Sequence, residues 1–324
     1  MKNLISKIVI GALLVCSLTI IALKGNDSRL TVGILTQATH PSLDAAINGF
    51  KDYLTNNGYS DINIIVKNPE GDVQTMNNMS TTLVRQSDLV LGIATDASVS
   101  LQNAIKTEGK KIPLLFTAVT DPVEAKLLED PNHIDSNIVG TSDKQPIDEQ
   151  LDLIFEVNPT IDKIGILYNI GEVNSKVQAS EVETILNSRN IDNVTKTISN
   201  ANEIGSALAY LATNGCKALY IPTDNLLAKY MSTVKDYSIE HKMLVVAGAS
   251  DMVKDGGSLT YGVDYYKLGA QTGEMAKYIL DGGAISDLKV EYAKEEDLML
   301  VVNEEHFASI GVEIPDSIKE RLDE

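Results

Sequence analysis

No tryptophan occurs in this chain, and it holds only four phenylalanines, four histidines and two cysteines. Cations are scarce beside anions: 27 lysines and arginines stand against 45 aspartates and glutamates, a formal net charge of −18. That balance excludes nucleic acid as a partner, because such binding depends on Lys and Arg neutralising phosphates. Two cysteines make no disulfide framework, since Cys16 lies in an N-terminal apolar stretch and Cys216 precedes a strand-like run at 217–221. No phosphate-cradling loop of the Walker type, no GxGxxG fingerprint and no GxSxG nucleophile turn is found, and nothing beside Cys216 would activate a thiol. The histidines are far apart, none with a second ligand at metal-site spacing. His133, His241 and His306 read as surface or capping residues, and His40 alone as a cleft candidate. An enzyme is therefore not expected, nor a cofactor, nor a metal.

What is present begins with Lys2 and Lys7 followed by an apolar run at 8–23, a membrane-directed segment. The basic flank orients the rest of the chain to the outer side of a membrane. The segment is a retained anchor, a cleaved signal or a leader lipidated at Cys16; Val15, a branched residue, stands where a lipoprotein signal has a small one.

From Arg29 onward, β-branched runs alternate with amphipathic stretches of helical length, the pattern of parallel strands joined by crossover helices. Strands are predicted at 30–35, 63–67, 89–94, 113–117 and 138–141, with helices at 43–56, 73–85 and 97–107. The series then restarts about 130 residues later. Gly33-Ile34-Leu35 returns as Gly165-Ile166-Leu167, Thr95-Asp96 as Thr223-Asp224, Thr120-Asp121 as Ser250-Asp251, and Gly140 with Asp143 as Gly262 with Asp264. The expected fold is α/β, with two doubly wound, Rossmann-like lobes joined by three hinge strands. After the N-terminal segment 1–26, lobe 1 comprises 27–141 plus 265–296, and lobe 2 comprises 142–264 plus 297–324. Extra helices at 146–157 and 267–281 are each expected to pack on the opposite lobe.

In open α/β sheets, ligands gather beyond the carboxyl ends of the strands. The polar loops at that edge carry His40, Thr95, Asp96, Thr117, Asn174, Ser175, Thr223, Asp224, Asn225 and Asp264. Ser, Thr, Asp and Asn at such junctions are also ordinary helix N-caps. Converging on one interlobe cleft, hydroxyls and amides suit a carboxylate, and an aspartate suits an ammonium.

Several stretches carry a closer resemblance: Val32-Gly33-Ile34-Leu35, His40-Pro41-Ser42-Leu43-Asp44-Ala45-Ala46, Phe116-Thr117-Ala118-Val119-Thr120-Asp121-Pro122-Val123, Ile221-Pro222-Thr223-Asp224-Asn225 and Tyr261-Gly262-Val263-Asp264-Tyr265-Tyr266. With these the chain, over 30–322, resembles the ABC-transporter substrate-binding proteins of the tryptophan/tyrosine (TrpX-like) type, of the type I periplasmic-binding-protein fold. The resemblance implies capture of a small amino acid, often aromatic, outside the cytoplasm and its delivery to a membrane permease driven by an ATPase. It implies that Thr95, Thr117, Asn174, Ser175, Asp224, Asn225 and Asp264 line the cleft, with His40 at its mouth. On this reading Asp264 or Asp224 takes the ammonium, and Thr95 and Thr117 take the carboxylate. Phe116, Tyr168 or Tyr265 would stack on a ligand ring. One departure is Asp96, which stands where the family commonly has proline and adds a negative charge beside the expected carboxylate site. An anchored sensor or surface adhesin would use the same clamp.

Overall fold

The runs Leu89–Ile93 and Leu114–Thr117 are buried along their whole length. Strands apolar on both faces belong to sheets covered by helices on both sides, which is what alternating strands and helices build. The computed structural model describes residues 29–134 and 136–322. In chain order the first half is β1 (Thr31–Thr36), α1 (Pro41–Asn56), β2 (Asn63–Lys67), α2 (Val73–Gln86), β3 (Leu89–Ile93), α3 (Thr95–Glu108), β4 (Leu114–Thr117) and β5 (Ile138–Ser142). The second half is α4 (Ile147–Val157), β6 (Lys163–Asn169), α5 (Val173–Ser188), β7 (Asp192–Ile198), α6 (Ile204–Thr213), β8 (Ala218–Ile221), α7 (Asn225–Lys229), α8 (Met231–His241), β9 (Leu244–Ala247), α9 (Ser250–Asp255) and β10 (Leu259–Val263). The tail is α10 (Tyr265–Leu280), β11 (Glu291–Tyr292), β12 (Leu298–Val302), α11 (Glu304–Ile310) and α12 (Asp316–Glu320).

The strands form two six-stranded sheets, ordered β11-β5-β4-β3-β1-β2 and β12-β10-β9-β8-β6-β7. The repeat read from paired landmarks is thus a repeat of topology. The sheets differ at one edge, where β11 runs parallel to β5 but β12 runs antiparallel to β10. The chain arrives at β12 straight from β11 on the other sheet, with no crossover helix to restore its direction.

Helices α4 and α10 each leave one sheet and pack on the other. Ile147, Leu151, Leu153 and Ile154 of α4 are buried with the core of the second sheet. Burying each such side chain contributes about 1.5–3 kcal/mol. Gln150 adds a polar tie, accepting from the Tyr220 hydroxyl at 2.7 Å and donating to the Tyr261 carbonyl at 2.9 Å. Helix α10 returns to the first sheet and lies against α1 with almost no side chain between the backbones. A Cβ on Gly49 would stand 1.9 Å from the Tyr266 carbonyl oxygen, and one on Gly269 would stand 2.0 Å from that of Ala46. The three crossings between sheets are extended connectors, and the second is joined to the third where the Asp264 N–H donates to the Asp297 carbonyl at 3.0 Å. Two of them are tied by Gln145, which accepts from the Val263 N–H at 3.3 Å.

His306 differs from its expected surface or capping role. It is fully buried, with Nε2 2.8 Å from Ser238 Oγ and Nδ1 2.9 Å from Ser258 Oγ. Its partners lie 68 and 48 residues away, so no local pattern marks them. No helix among the described residues is long and apolar enough to cross a membrane, and the membrane-directed segment 8–23 lies outside those residues.

Burial, aided by the charge of Lys235, pushes the His306 imidazole down to about 4. The unfolded chain takes up a proton near the ordinary value of about 6.5, so stability present above that pH is lost as pH falls toward 4. Urea unfolding should show the wild type losing on the order of 2 kcal/mol more than His306→Gln between pH 7 and pH 4.5. Equal losses would contradict this role.

Candidate functional site

The carboxyl ends of the two sets of strands face one another, and a pocket lies between them. Most of its lining residues sit at helix starts: His40, Ser42 and Leu43 at α1, Ala94 at α3, Asn174 at α5, Asp224 and Asn225 at α7, Ala249 and Met252 at α9, and Tyr265 at α10. Ala118, Asp143, Thr223 and Ala228 complete the wall. Helix N-termini carry backbone N–H groups without intrahelical partners and the positive end of the helix dipole, so their convergence favours an anion. Ala94 (φ 74°) and Ala118 (φ 56°), which follow β3 and β4, both hold left-handed backbone conformations. Such conformations cost about 1–3 kcal/mol each and concentrate at ligand sites.

The lobes are clasped around this pocket. His40 Nε2 donates to Asn225 Oδ1 at 3.1 Å, and the Ser42 hydroxyl donates to Asp251 Oδ2 at 2.9 Å. Lys229 meets Glu70 at 2.8 Å, and Thr120 Oγ1 lies 3.4 Å from Thr223 Oγ1. Asn225 is aimed by Glu172, which accepts from its Nδ2 at 2.6 Å and from its backbone N–H at 3.0 Å. Burial holds the His40 imidazole below its ordinary value, so it bonds Asn225 as a neutral donor.

His40, Asn174, Thr223, Asp224 and Asn225 are brought together in the pocket wall. Thr223 is held by Gln178, which accepts from its backbone N–H and donates to its hydroxyl, both at 2.8 Å. Its carbonyl accepts from Asn174 Nδ2 at 2.6 Å and from Ser175 Oγ at 3.1 Å, so Ser175 stands behind the wall as a brace. Asp224 is committed to backbone, accepting from Leu227 N–H at 2.8 Å as the cap of α7 and from Asn169 N–H at 2.7 Å. Burial and the neighbouring Glu172 push its carboxyl up. Two buried polar atoms lack any hydrogen-bond partner here, Asn174 Oδ1 and Thr95 Oγ1, the latter directly after the lining residue Ala94.

The remaining expectations fall elsewhere. Thr117 accepts from Thr141 Oγ1 at 2.9 Å within the buried first sheet. Asp264 caps α10, accepting from the N–H groups of Tyr266 and Lys267 at 3.0 and 3.2 Å, and does not line the pocket. Its counterpart in the repeat, Asp143, does line it, as does Tyr265, whose hydroxyl donates to Asp143 Oδ2 at 2.7 Å. Phe116 is core, and Tyr168 packs against the second core, so of the three aromatics only Tyr265 reaches the pocket.

Asp96 lines an outer part of the cleft with Gln37, Glu70, Glu172, Asn225 and Lys229 rather than the pocket itself. Its carboxylate accepts from Gln37 Nε2 at 3.2 Å. Burial, and then the negative charge of Glu172 from the opposite lobe, raise its pKa to about 6.

Residues 31–324 match the family of ABC transporter substrate binding proteins. The chain belongs to that family. Among its relatives is a tyrosine-binding protein from Clostridioides difficile, 34% identical over 90% of this chain and 84% of the relative. A Streptococcus pneumoniae ABC domain solved in complex with L-Trp is 32% identical, with a TM-score of 0.85 over 91% of this chain and 98% of that one. The ligand-free, open structure of a C. difficile substrate-binding protein with adhesive properties is 35% identical, with a TM-score of 0.69 over 89% and 96% of the two chains. A lower score at slightly higher identity is what a different angle between lobes produces, and it agrees with the clasped arrangement seen here.

Because its folded-state pKa is raised, Asp96 costs stability as pH climbs from about 4 through about 6 and the carboxylate ionises opposite Glu172. Asp96→Asn should therefore be more stable than wild type at pH 7.5, by on the order of 1–2 kcal/mol, with the gap closing near pH 4. Urea titrations at the two pH values check this; a less stable variant at pH 7.5 would contradict it.

Proposed function

We propose that this substrate-binding protein captures a free aromatic α-amino acid outside the cytoplasm and presents it to the permease of an ABC importer. The observation that carries this reading is a pocket closed between two lobes in whose wall Asn174 Oδ1 is buried without a partner, with the equally unpartnered Thr95 Oγ1 directly after the lining residue Ala94. A buried polar atom left unpaired costs about 1–3 kcal/mol, a cost that a bound ligand's own polar groups remove. Converging helix N-termini suit the α-carboxylate. Ala94, Ala118, Ala228 and Ala249 keep that part of the wall small, and Leu43 and Met252 make it apolar, which suits a hydrophobic side chain. The aromatic class is supported by the relatives, one named for tyrosine and one solved with L-Trp. The N-terminal segment would hold the clamp at the outer face of the membrane.

Ligand that bridges both lobes binds the closed state better and so shifts the open–closed equilibrium. Scanning calorimetry of the purified protein against the twenty common L-amino acids tests the assignment. At a hundredfold excess over Kd, a ligand adds about 2.7 kcal/mol, which for a chain of this size raises Tm by roughly 4 °C. The rise is expected with L-tyrosine or L-tryptophan and not with the aliphatic or acidic amino acids. A flat response to all twenty would remove the amino-acid assignment.

A further inference from the structure

Two acids meet across the outer cleft with no cation to spare for them. Asp96 opens α3 on the first lobe, Glu172 immediately precedes α5 on the second, and both line the cavity outside the ligand pocket. Glu172, 4% exposed, is committed to N–H donors of its own lobe: the Asn225 backbone at 3.0 Å, Asn225 Nδ2 at 2.6 Å, the Leu226 backbone at 3.0 Å and Asn169 Nδ2 at 3.1 Å. Asp96 has the amide of Gln37, whose Nε2 donates to its carboxylate at 3.2 Å and whose Oε1 accepts from its backbone N–H at 3.3 Å. The cation in this wall, Lys229, is paired with Glu70 at 2.8 Å.

Other neighbours leave the pair uncompensated. Strands β1, β3 and β4, against which α3 packs, carry no ionisable side chain. Helix α2 brings Asp72, which caps its own helix through the Thr75 N–H, and Arg85, which is paired with Glu108 at the far end of α3. Asp224 also feels Glu172, but the two share a lobe, so a rigid-lobe motion does not change their separation. His40 feels Glu172, Asp251 and Asp44, and its burial on closure has the opposite linkage, releasing a proton.

Like charges brought together in a poorly hydrated cleft repel, and the repulsion ends when one of them takes a proton. Because four N–H donors hold Glu172, the proton falls to Asp96. Burial and then Glu172 accordingly raise the Asp96 carboxyl to about 6, and both causes lapse when the lobes part. We infer that Asp96 and Glu172 form a proton-linked latch between the lobes, so that closure on the ligand takes up a proton at Asp96 and acidification favours the closed form through this pair. The inference rests on the ligand-driven closure proposed above. Asp96 titrates without touching the ligand, and Gln37 is the positioning residue that holds its carboxyl in the cleft.

Isothermal titration of the wild type and Asp96→Asn with L-tyrosine at pH 7.5 and pH 5 tests this. The substitution keeps an acceptor for Gln37 and removes the charge. At pH 7.5 Asp96→Asn should bind about five- to thirtyfold more tightly than the wild type, and at pH 5 that advantage should shrink at least about threefold. The contributions of His40 and Asp224 are common to both proteins and leave the ratio. Repeating the titrations at pH 5.5 in buffers of different ionisation enthalpy counts protons, and the wild type should take up at least about half a proton more than the variant. A merely structural role for Asp96 would change affinity by one factor at every pH and leave the proton count alone. A pH-independent ratio or equal proton uptake, with binding intact, would overturn the latch and leave the amino-acid function standing. Failure of the wild type to bind any aromatic amino acid would overturn both.

Discussion

Helix N-termini cannot satisfy their own first N–H groups, and in this fold those of α1, α3, α5 and α10 all end on one pocket between two sheets. That shared deficit dictates much of the rest. It favours an anionic group at that point, and it places helix-start residues such as His40, Asp224 and Asn225 in the pocket wall. It also makes closure and binding one event, since each lobe holds only part of the polar surface a zwitterion needs. The clasp of His40 on Asn225 and of Ser42 on Asp251 brings those parts together.

Three acidic side chains around the cleft have been given different work by their surroundings. Asp224 is absorbed by backbone N–H groups and holds α7 in place. Asp96 faces Glu172 across the outer cleft, where like charges oppose closure, so ligand contacts must outweigh that repulsion to hold the lobes together. Asp143 is buried in the pocket wall and accepts from two side-chain hydroxyls, those of Thr120 and Tyr265. Charge count alone would have treated the three as equivalents.

Much of this was legible in the sequence. Alternating apolar runs located the strands to within a residue or two, because strands buried on both faces leave continuous β-branched segments. The returning landmarks gave the doubled architecture, and the first-turn residues of the helices gave five members of the pocket wall. The repeat flagged Asp143 and Asp264 as counterparts, but which one enters the pocket depends on how each crossing leaves its sheet. At the second crossing Asp264 turns to cap α10 and Tyr265 takes the inward position. The burial of His306 between two serines and the capture of Thr117 by Thr141 were equally out of reach, since both depend on contacts made only after the sheets assemble.

The central claim is that ligand closes the lobes by contacting both. Small-angle X-ray scattering of the protein with and without saturating L-tyrosine tests it most directly. Closure should reduce the radius of gyration by about 1 Å from the roughly 20 Å expected for a compact chain of this length. An unchanged radius on saturation, with binding confirmed in the same sample, would contradict it.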